Sequence, residues 1–371
     1  MDKKKIIIIS QTIFPAQYPR AHRATELAKE FARQGHHVIL YGVLGDYDYS
    51  EFEKENNLKV KNIGKMRFAR INSEGSSKIT FFDKVFKKLL FRLIGFPDIE
   101  LMFRMPKIIK KEENVDLLIT IAMPHPLHWG SAMMRSLNPE EFPKKWIADC
   151  GDPYMGNKFW KKKPFFYFKY LEKWFCEKAD YITVPVTDAI DAYYPEFHHK
   201  IRVIPQGFKF DDVKVTNLKT NNIVPTFAYA GTFYKGFRDP SAFLSFLSTI
   251  NLPFKFIIFT LNITLIEPYL EKLEGKIEVN PYLPRNELLK ELDKMDFLIN
   301  FENGTKVQSP SKLIDYAIVD KPVLSIEPNS LDKNIFFEFL SGDYHRKLQI
   351  PDKEKYRIEN VTASFLALFN E

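Results

Sequence analysis

The segment Lys5-Ile6-Ile7-Ile8-Ile9-Ser10 predicts a central β-strand, because four consecutive isoleucines between polar residues are typical of a strand buried on both faces. A helix is predicted from about residue 20 to residue 34, and Gly35 follows at the position where a left-handed residue often ends a helix. A second apolar strand is predicted over residues 37–42. A strand, a helix and a second strand in this order indicate the start of a parallel α/β sheet.

The same alternation continues along almost the whole chain. The first series contains further predicted strands at residues 116–121, 145–150, 181–184 and 201–204. After a polar stretch, a second series has predicted strands at residues 226–231, 254–260, 276–279, 297–301 and 322–325. This restart predicts two doubly wound, Rossmann-like domains that face each other across a cleft, with ligands beyond the carboxyl ends of the strands.

The restart also sets the expected domain boundaries. The linker is placed where polar residues replace the alternating apolar runs. We expect an N-terminal domain at residues 1–206, a linker at 207–224, a C-terminal domain at 225–352 and a helical segment at 353–371 that packs back on the N-terminal domain.

Composition excludes several classes of protein. With 371 residues, 45% of them hydrophobic and 27% charged, the chain can build a proper core, so disorder is not its main feature. Cys150 and Cys176 are its only cysteines, which argues against a disulfide scaffold or a cysteine-based zinc site and favours a reducing compartment. The first apolar run is too short for a signal peptide, and no window of about 18 apolar residues occurs. We therefore expect a cytoplasmic protein.

Two common nucleotide-binding motifs are missing from the sequence. The turn after the first strand, residues 10–15, reads SQTIFP and contains no glycine, which disfavours the G-x-G-x-x-G site of an NAD enzyme. No P-loop of the form G-x-x-x-x-G-K-[ST] is present either. Neither NAD chemistry nor P-loop phosphoryl transfer is therefore expected.

Candidate catalytic residues follow two strands of the first series. Asp149 and Asp152 flank a glycine at a predicted strand end, where carboxylates could orient or deprotonate an acceptor hydroxyl. Asp149 could instead be a buried structural partner, and Asp152 could cap the turn before Pro153. His125, in a loop after another strand, is a candidate acid or base, with a locally hydrogen-bonded histidine as the alternative.

The opening of the first helix carries three basic residues, Arg20, His22 and Arg23. Such side chains at a helix start could hold an acceptor or a phosphate, because the unpaired backbone amides there also attract anions. The alternative is an ordinary solvated helix face.

The second series contains a predicted anion site. In AYAGTFYKGFR, residues 228–238, Gly231 lets the backbone approach a ligand closely. Arg238 is expected to begin the next helix, where its planar guanidinium could clamp a diphosphate. Lys235 is the competing cation, or a solvated loop lysine.

A second segment, SPSKLIDY at residues 309–316, completes this predicted site. Ser309 suits an N-cap, and a proline suits the first helical position after it. The amides of that first turn, which includes Ser311, form an anion site together with Lys312. Asp315, one turn later, could accept hydrogen bonds from ribose hydroxyls.

These segments, in this order and spacing, resemble the family 4 glycosyltransferases, a retaining family with the GT-B fold. The resemblance covers nearly the whole chain and rests on residues 147–154, 204–208, 231–238, 310–316 and 321–323. It implies a nucleotide-sugar donor on the C-terminal domain, an acceptor on the N-terminal domain and no required metal or other cofactor. Arg238 matches the family's basic residue on the donor diphosphate, and Asp315 matches the second acid of its E-x7-E motif, which contacts the ribose.

Three positions depart from the family pattern. The first acid of E-x7-E falls at Val307, with Glu302 as an alternative source of that sugar contact. Thr232, an expected donor contact, stands where the family often has an arginine. Gly151 stands where many members have a histidine.

Two basic, aromatic segments predict contact with an anionic membrane. Residues 81–94 form an amphipathic helix with basic residues opposite an apolar face, and residues 158–173 carry six lysines and seven aromatic residues. The alternative for the first segment is an ordinary domain helix whose apolar face belongs to the core. Nucleic-acid binding is not expected, because no motif of a nucleic-acid-binding module accompanies these segments.

The sequence therefore predicts a glycosyltransferase that moves a sugar, with retention, from a nucleotide-diphosphate sugar to a hydroxyl of a lipid-linked or oligosaccharide acceptor. We expect it to act in the biosynthesis of a surface polysaccharide (capsule, O-antigen or exopolysaccharide), peripheral on the inner face of the cell membrane. Two alternatives stay open. One is a non-catalytic protein of this fold that binds a nucleotide sugar or a polyanion, and the other is a GT-B epimerase or phosphorylase.

Overall fold

The computed structural model describes residues 2–16, 18–64, 66–67, 81–157, 163–210, 222–236, 238–302, 312–327, 330–350 and 353–371. The chain divides into two compact units. Unit 1 comprises Met1–Phe208 and Ile358–Glu371, and unit 2 comprises Lys209–Arg357. Each unit is built on one parallel sheet, so the predicted doubly wound α/β class is confirmed.

Unit 1 contains a seven-stranded parallel sheet in the order β3-β2-β1-β4-β5-β6-β7. Its strands are β1 Lys5–Ser10, β2 His37–Gly42, β3 Lys59–Asn62, β4 Leu117–Ala122, β5 Lys145–Cys150, β6 Tyr181–Val184 and β7 Ile201–Val203. In the centre, Ile7 of β1 pairs with Ile39 on one side and with Leu118 on the other. The strand order reverses between β1 and β4, which is the topological switch point where ligands bind in such sheets.

Helices cover both faces of this sheet. They are α1 Pro19–Arg33, α2 Ser50–Asn56, α3 Phe81–Ile94, α4 Ile99–Ile109, α5 Pro126–Leu137, α6 Phe168–Lys178 and the C-terminal helix α11 Ile358–Asn370. Ile7 and Ile9 belong to the core under α4, α5 and α6, whereas Ile6 and Ile8 belong to the core shared with α1 and α11. Because neighbouring side chains of a strand point to opposite faces, β1 must be apolar throughout.

Unit 2 contains a five-stranded parallel sheet in the order β10-β9-β8-β11-β12, with its switch point between β8 and β11. Its strands are β8 Thr226–Ala230, β9 Lys255–Phe259, β10 Ile277–Asn280, β11 Phe297–Phe301 and β12 Val323–Ile326. Its helices are α7 Ser241–Leu247, α8 Arg285–Asp293, α9 Lys312–Val319 and α10 Lys333–Leu340. The core is largely phenylalanine, with the Phe227 ring stacked 4.8 Å from Phe256 and 4.7 Å from Phe297, which accounts for part of the high aromatic content.

All eleven predicted strands coincide with observed strands to within one residue at each end, and one observed strand is not predicted. The short strand β3 has no counterpart in the prediction, because its sequence Lys-Val-Lys-Asn contains one apolar residue and lies at the exposed edge of the sheet. The final helix begins at Ile358 and packs against α1, after a separate short turn at Lys353–Tyr356. Residues 211–221 of the predicted linker lie outside the described residues. No helix in the described part of the chain is both long and apolar enough to cross a bilayer.

Candidate functional site

In unit 1, polar residues meet at the carboxyl edge of the sheet, beside the switch point. Gln11 follows β1, His125 follows β4 and Asp152 follows β5. Arg20, from the first turn of α1, reaches the same place. Side chains from several strand ends therefore converge where ligands of doubly wound sheets bind.

Asp149 and Arg23 form a buried ion pair beneath this edge. Arg23 Nη2 lies 2.8 Å from Asp149 Oδ1, Arg23 Nε lies 3.1 Å from Oδ2, and each side chain is only 3% exposed. Thr183 Oγ1 donates a further bond of 2.7 Å to the carboxylate. Burial pushes the pKa of Asp149 upward, but the charge of Arg23 holds this pKa below its usual value, so the carboxylate stays ionised. Of the two roles considered for Asp149, the geometry favours the buried structural partner, and Arg23 lies in the interior and not on an open helix face.

Arg20 is the basic residue of α1 that reaches the surface of the site. Its Nη1 lies 3.6 Å from Asp149 Oδ2, and a quarter of its side chain is exposed. The guanidinium lies over Gly151, where a Cβ atom would sit only 1.9 Å from Arg20 Nη2. Glycine at position 151 therefore leaves the room that this guanidinium occupies. His22 is half-buried on the same helix.

His125 is buried at the start of α5 and contacts the loop after β5. The main chain of Asp152 hydrogen-bonds its ring, whereas Nε2 has no hydrogen-bond partner among the residues that the structure describes. Burial lowers the pKa of His125 to about 4, so the ring is neutral near pH 7. In a neutral imidazole one ring nitrogen donates a hydrogen bond and the other can accept one.

His128, one turn further along α5, belongs to the core. Its Nδ1 lies 2.8 Å from Thr120 Oγ1, and its Nε2 lies 3.4 Å from Cys150 Sγ. Burial lowers the pKa of His128 to about 3. This histidine is therefore a neutral structural partner of β4 and β5.

The loop that carries Asp152 is anchored from α6. Glu172 is 1% exposed, and its Oε1 accepts a bond of 2.9 Å from the backbone N–H of Tyr154. Its Oε2 accepts a bond of 3.0 Å from the hydroxyl of Tyr194. Burial raises the pKa of Glu172. These bonds fix the loop, so that the half-buried Asp152 is held at the sheet edge.

Asp98 is a further acidic residue at this edge that the sequence analysis does not include. It precedes α4 without capping it, and its Oδ1 lies 3.4 Å from Gln11 Nε2. Burial is the main cause of the raised pKa of the nearby Tyr154 hydroxyl, Glu172 adds to it, and Asp98 makes a smaller contribution. The signal in the sequence is weak: only Pro97 before Asp98 marks a turn that opens a helix.

In unit 2, a tyrosine hydroxyl separates β8 from β11 at the switch point. These strands pair only at Phe227 and Ala228 of β8. Beyond that point, the Tyr316 hydroxyl of α9 accepts a bond of 3.2 Å from the N–H of Ala230 and donates one of 3.0 Å to the carbonyl of Ile299. The strands therefore diverge at their carboxyl ends, and their backbone groups remain satisfied.

Gly231 and Arg238 lie on the loop that leaves β8. Gly231 has φ +150°, which favours glycine, and a Cβ there would lie 2.9 Å from the Tyr229 hydroxyl. Arg238 has φ +43°, lies 5.8 Å from the Tyr234 ring and hydrogen-bonds the Tyr229 hydroxyl. The prediction that Arg238 begins the next helix is wrong, because α7 starts only at Ser241.

The start of α7 already has an acidic partner. Asp239 accepts bonds from the backbone N–H of Ser241 at 3.0 Å and of Gly236 at 3.2 Å. Of the other loop residues, Lys235 is exposed, and the Thr232 carbonyl accepts a 3.3 Å bond from a tyrosine hydroxyl. A ligand anion on this loop would therefore meet Arg238 or Lys235, and not the helix terminus.

The remaining predicted donor contacts lie around α9. Asp315 is half-buried, and its Oδ1 accepts a bond of 2.7 Å from Nε of Arg285 on α8, an arginine that the sequence analysis does not include. Ser309 and Ser311 lie outside the described residues, as does the side chain of Lys312, with which α9 begins.

Three polar side chains form a row of hydrogen bonds that ends at the carboxyl end of β11. Asn300 Nδ2 donates to Ser325 Oγ at 2.9 Å, and Ser325 Oγ donates to Glu302 Oε1 at 2.7 Å. Asn300 is 4% exposed, and its Oδ1 has no partner within the described part of the chain. These hydrogen bonds therefore hold the Glu302 carboxylate at the end of β11. Within the described ranges, no three His, Cys, Asp or Glu side chains are grouped so as to hold a metal ion.

No protein-family model matches the chain, and no curated protein matches it in sequence. Solved structures do resemble it over their full length. A glycosyltransferase from Rickettsia africae ESF-5 is 15% identical, covers 100% of this chain and 98% of its own, and has a TM-score of 0.65. The lipopolysaccharide outer core galactosyltransferase WaaB is 11% identical, with 99% of both chains covered and a TM-score of 0.63. The Anabaena protein Alr3699/HepE, solved with UDP and glucose, is 9% identical, with 99% of both chains covered and a TM-score of 0.59.

At these low identities the likeness shows the fold alone. The two parallel-sheet units have the GT-B architecture of glycosyltransferases, as the sequence predicts.

Three buried histidines of unit 1, His36, His125 and His128, predict a loss of stability in mild acid. The pKa of each is lowered in the folded chain, so the unfolded chain binds more protons below about pH 6.5. This stability is fully present well above that pH and falls as the pH drops, by about 1 kcal/mol for each of His125 and His128 between pH 6.5 and 5.5. All four tryptophans lie in unit 1, so urea unfolding followed by tryptophan fluorescence measures this unit.

The matched variants are His125→Gln and, as the control, His199→Gln, which replaces an exposed histidine. We expect the first to lose part of the pH dependence and the second to retain it. An unfolding midpoint that is the same at pH 7.5 and pH 5.5 would contradict the buried neutral histidines.

Proposed function

We propose that the protein is a glycosyltransferase that moves a sugar from a nucleotide-diphosphate sugar to an acceptor hydroxyl. The observation that carries this proposal is the opened switch point of unit 2, where the Tyr316 hydroxyl separates two strands beside Gly231 and Arg238. A glycine that admits a close ligand and an arginine suited to a diphosphate are the groups that such a donor requires. The GT-B fold, and UDP with glucose in a structure of that fold, support the same donor class.

In this proposal the donor binds to unit 2. Arg238 contacts the diphosphate, and Lys235, Thr232, Ser309, Ser311 and Lys312 are further contacts. Asp315 accepts bonds from the ribose hydroxyls, and Arg285 fixes the direction of its carboxylate. Glu302 supplies a carboxylate for the sugar in place of the acid that is missing at Val307.

The acceptor binds to unit 1 at the carboxyl edge of its sheet. Arg20 offers a partly exposed guanidinium, with His22 beside it, and His125 and Asp152 orient or exchange a proton with the acceptor hydroxyl. Asp149 and Arg23 act as positioning residues, because their buried ion pair lies directly beneath Arg20.

Catalysis in this proposal stabilises the charge of the leaving diphosphate and orients the acceptor, without a protein nucleophile or a required metal. Retention, membership of family 4 and a role in surface-polysaccharide biosynthesis follow from the resemblance described above. A preorganised contact of the kind assigned to Arg238 typically lowers the barrier by about 3 kcal/mol, or roughly a hundredfold in rate.

The proposal places the protein on the inner face of the cell membrane, and two neighbouring segments of unit 1 support this. In α3, the apolar side chains of Phe86, Leu89 and Ile94 are exposed, so this part of its apolar face is not buried in the core. The backbone of α3 accepts a bond from the Tyr167 hydroxyl, and Arg92 lies 4.8 Å from the Phe165 ring. The two predicted membrane segments thus adjoin each other, although residues 158–162 lie outside the described part.

Replacement of Arg238 tests the donor site. We expect one nucleoside diphosphate from a panel to raise the melting temperature of the protein, and Arg238→Ala to weaken that binding by about 10- to 100-fold, since a charge-assisted contact is lost. Arg346→Ala is the control, because Arg346 is an arginine of the same unit paired with Glu338 and Asp332. Absence of a shift with every nucleotide, or equal binding by Arg238→Ala, would count against the donor site.

Replacement of Gly151 tests the acceptor site. An alanine Cβ would lie 1.9 Å from Arg20 Nη2, so the flexible guanidinium must move while the backbone stays in place. We expect Gly151→Ala to lower kcat/KM for the acceptor about tenfold and to leave nucleotide binding unchanged. Gly45→Ala, at a glycine with open space around it, is the control.

The Arg20→Ala variant completes this test as a double-mutant cycle. If Gly151→Ala acts by displacing Arg20, the double variant should be no worse than Arg20→Ala alone. Additive losses, or wild-type kinetics in Gly151→Ala, would remove Arg20 from the acceptor site.

A further inference from the structure

A second basic feature of unit 1 is a groove between the edge strand β3 and helix α4. The groove has a volume of about 730 Å³. Its lining contains one carboxylate, Glu100, and five cationic side chains, those of Lys61, Arg67, Arg104, Lys107 and Lys111. None of these residues belongs to the two sites described above.

Only two of the five cations have an acidic partner. Lys61 pairs with the buried Glu112, and Arg104 pairs with Glu100. The Arg104 guanidinium is also held over Gly64, where a Cβ atom would lie 2.5 Å from its Nη1. The other three, Arg67, Lys107 and Lys111, form no ion pair with any residue that the structure describes. The groove therefore carries uncompensated positive charge.

The exposed side of α4 combines this charge with an aromatic ring. Phe103 and Lys107 are four residues apart and lie on one side of α4. Lys111, in the turn after the helix, lines the same groove. Phe103 is 61% exposed, and both lysines are exposed. At a bilayer surface, such a ring can enter the acyl boundary while lysine stems lie along it and their ammonium groups meet the phosphates.

We propose that this groove binds the phosphate group of an anionic membrane lipid. The inference rests on the proposed membrane association of the glycosyltransferase and adds a headgroup site to it. The uncompensated positive charge of the groove favours a phosphate as its ligand. The exposed Phe103 ring favours the phosphate of a membrane lipid over inorganic phosphate, because the ring can enter the acyl boundary of the bilayer. The lipid phosphate lies against Lys107, Lys111 and Arg67, while Arg104 keeps its place through Glu100 and Gly64.

Vesicle flotation tests this site directly. The full chain is mixed at low salt with vesicles of phosphatidylglycerol and phosphatidylcholine, or of phosphatidylcholine alone. We expect Lys107→Ala/Lys111→Ala to lower partition onto the anionic vesicles about 30-fold, which is about fivefold for each lysine, and to leave the weak partition onto neutral vesicles unchanged.

The control is Lys110→Ala/Lys144→Ala, which removes the same charge outside the groove. Lys110 pairs with Glu141 at 3.0 Å and Lys144 with Asp116 at 2.8 Å, so neither faces a lipid phosphate unpaired. A much smaller loss in this control supports the groove. An equal loss in both variants would mean that general charge attraction accounts for binding, and the groove would be rejected.

Two further outcomes would also overturn the proposal. If about 10 mM inorganic phosphate displaces the wild-type chain from the vesicles, the groove is a site for free phosphate. If the chain binds single-stranded RNA through Lys107 and Lys111 but no vesicles, its partner is a nucleic acid. Nucleotide-induced thermal shifts on the same samples report on unit 2, so failure of the groove and failure of the donor site can be told apart.

Discussion

The ion pair between Arg23 and Asp149 is the constraint on which the candidate acceptor site depends. It joins α1 to β5, Thr183 adds β6, and Arg23 also bonds the carbonyl of Ile204 after β7 at 3.1 Å. Removal of one partner from a buried pair typically costs about 3–5 kcal/mol, because the other charge is left uncompensated. The Asp149 carboxylate also lies 3.6 Å from Arg20, whose guanidinium lies over Gly151.

In unit 2, two neighbouring strands of the sheet diverge, and their backbone groups still have hydrogen-bond partners. The Tyr316 hydroxyl bonds one strand on each side and replaces the missing ladder bonds between β8 and β11. Tyr316 is fully buried, and burial raises the pKa of its hydroxyl, so it remains a donor as well as an acceptor near neutral pH. One residue from α9 thus opens the switch point beside Gly231.

Much of the fold could be predicted because the deciding strands are buried on both faces, which gives the four isoleucines of β1 a clear pattern. The edge strand β3 has no such pattern. Arg238 precedes α7 and does not begin it, because Asp239 accepts the hydrogen bond from the backbone N–H of Ser241 at the start of that helix. The ion-pair partners of a polar residue are harder to predict, because the partners are far apart in the sequence. Asp149 with Arg23 and Asp315 with Arg285 are examples. Asp98 and Gln11 meet only because the sheet brings β1 beside α4.

Acceptor-dependent turnover is the decisive test of whether this chain transfers sugar. The full chain is incubated with radiolabelled nucleotide sugars and a membrane-lipid extract, and both the released nucleoside diphosphate and the labelled lipid or oligosaccharide fraction are measured. We expect one donor to be consumed only when acceptor is present, with its sugar recovered in that fraction. A donor that binds but is never consumed, or that is converted without acceptor, would contradict the proposed sugar transfer.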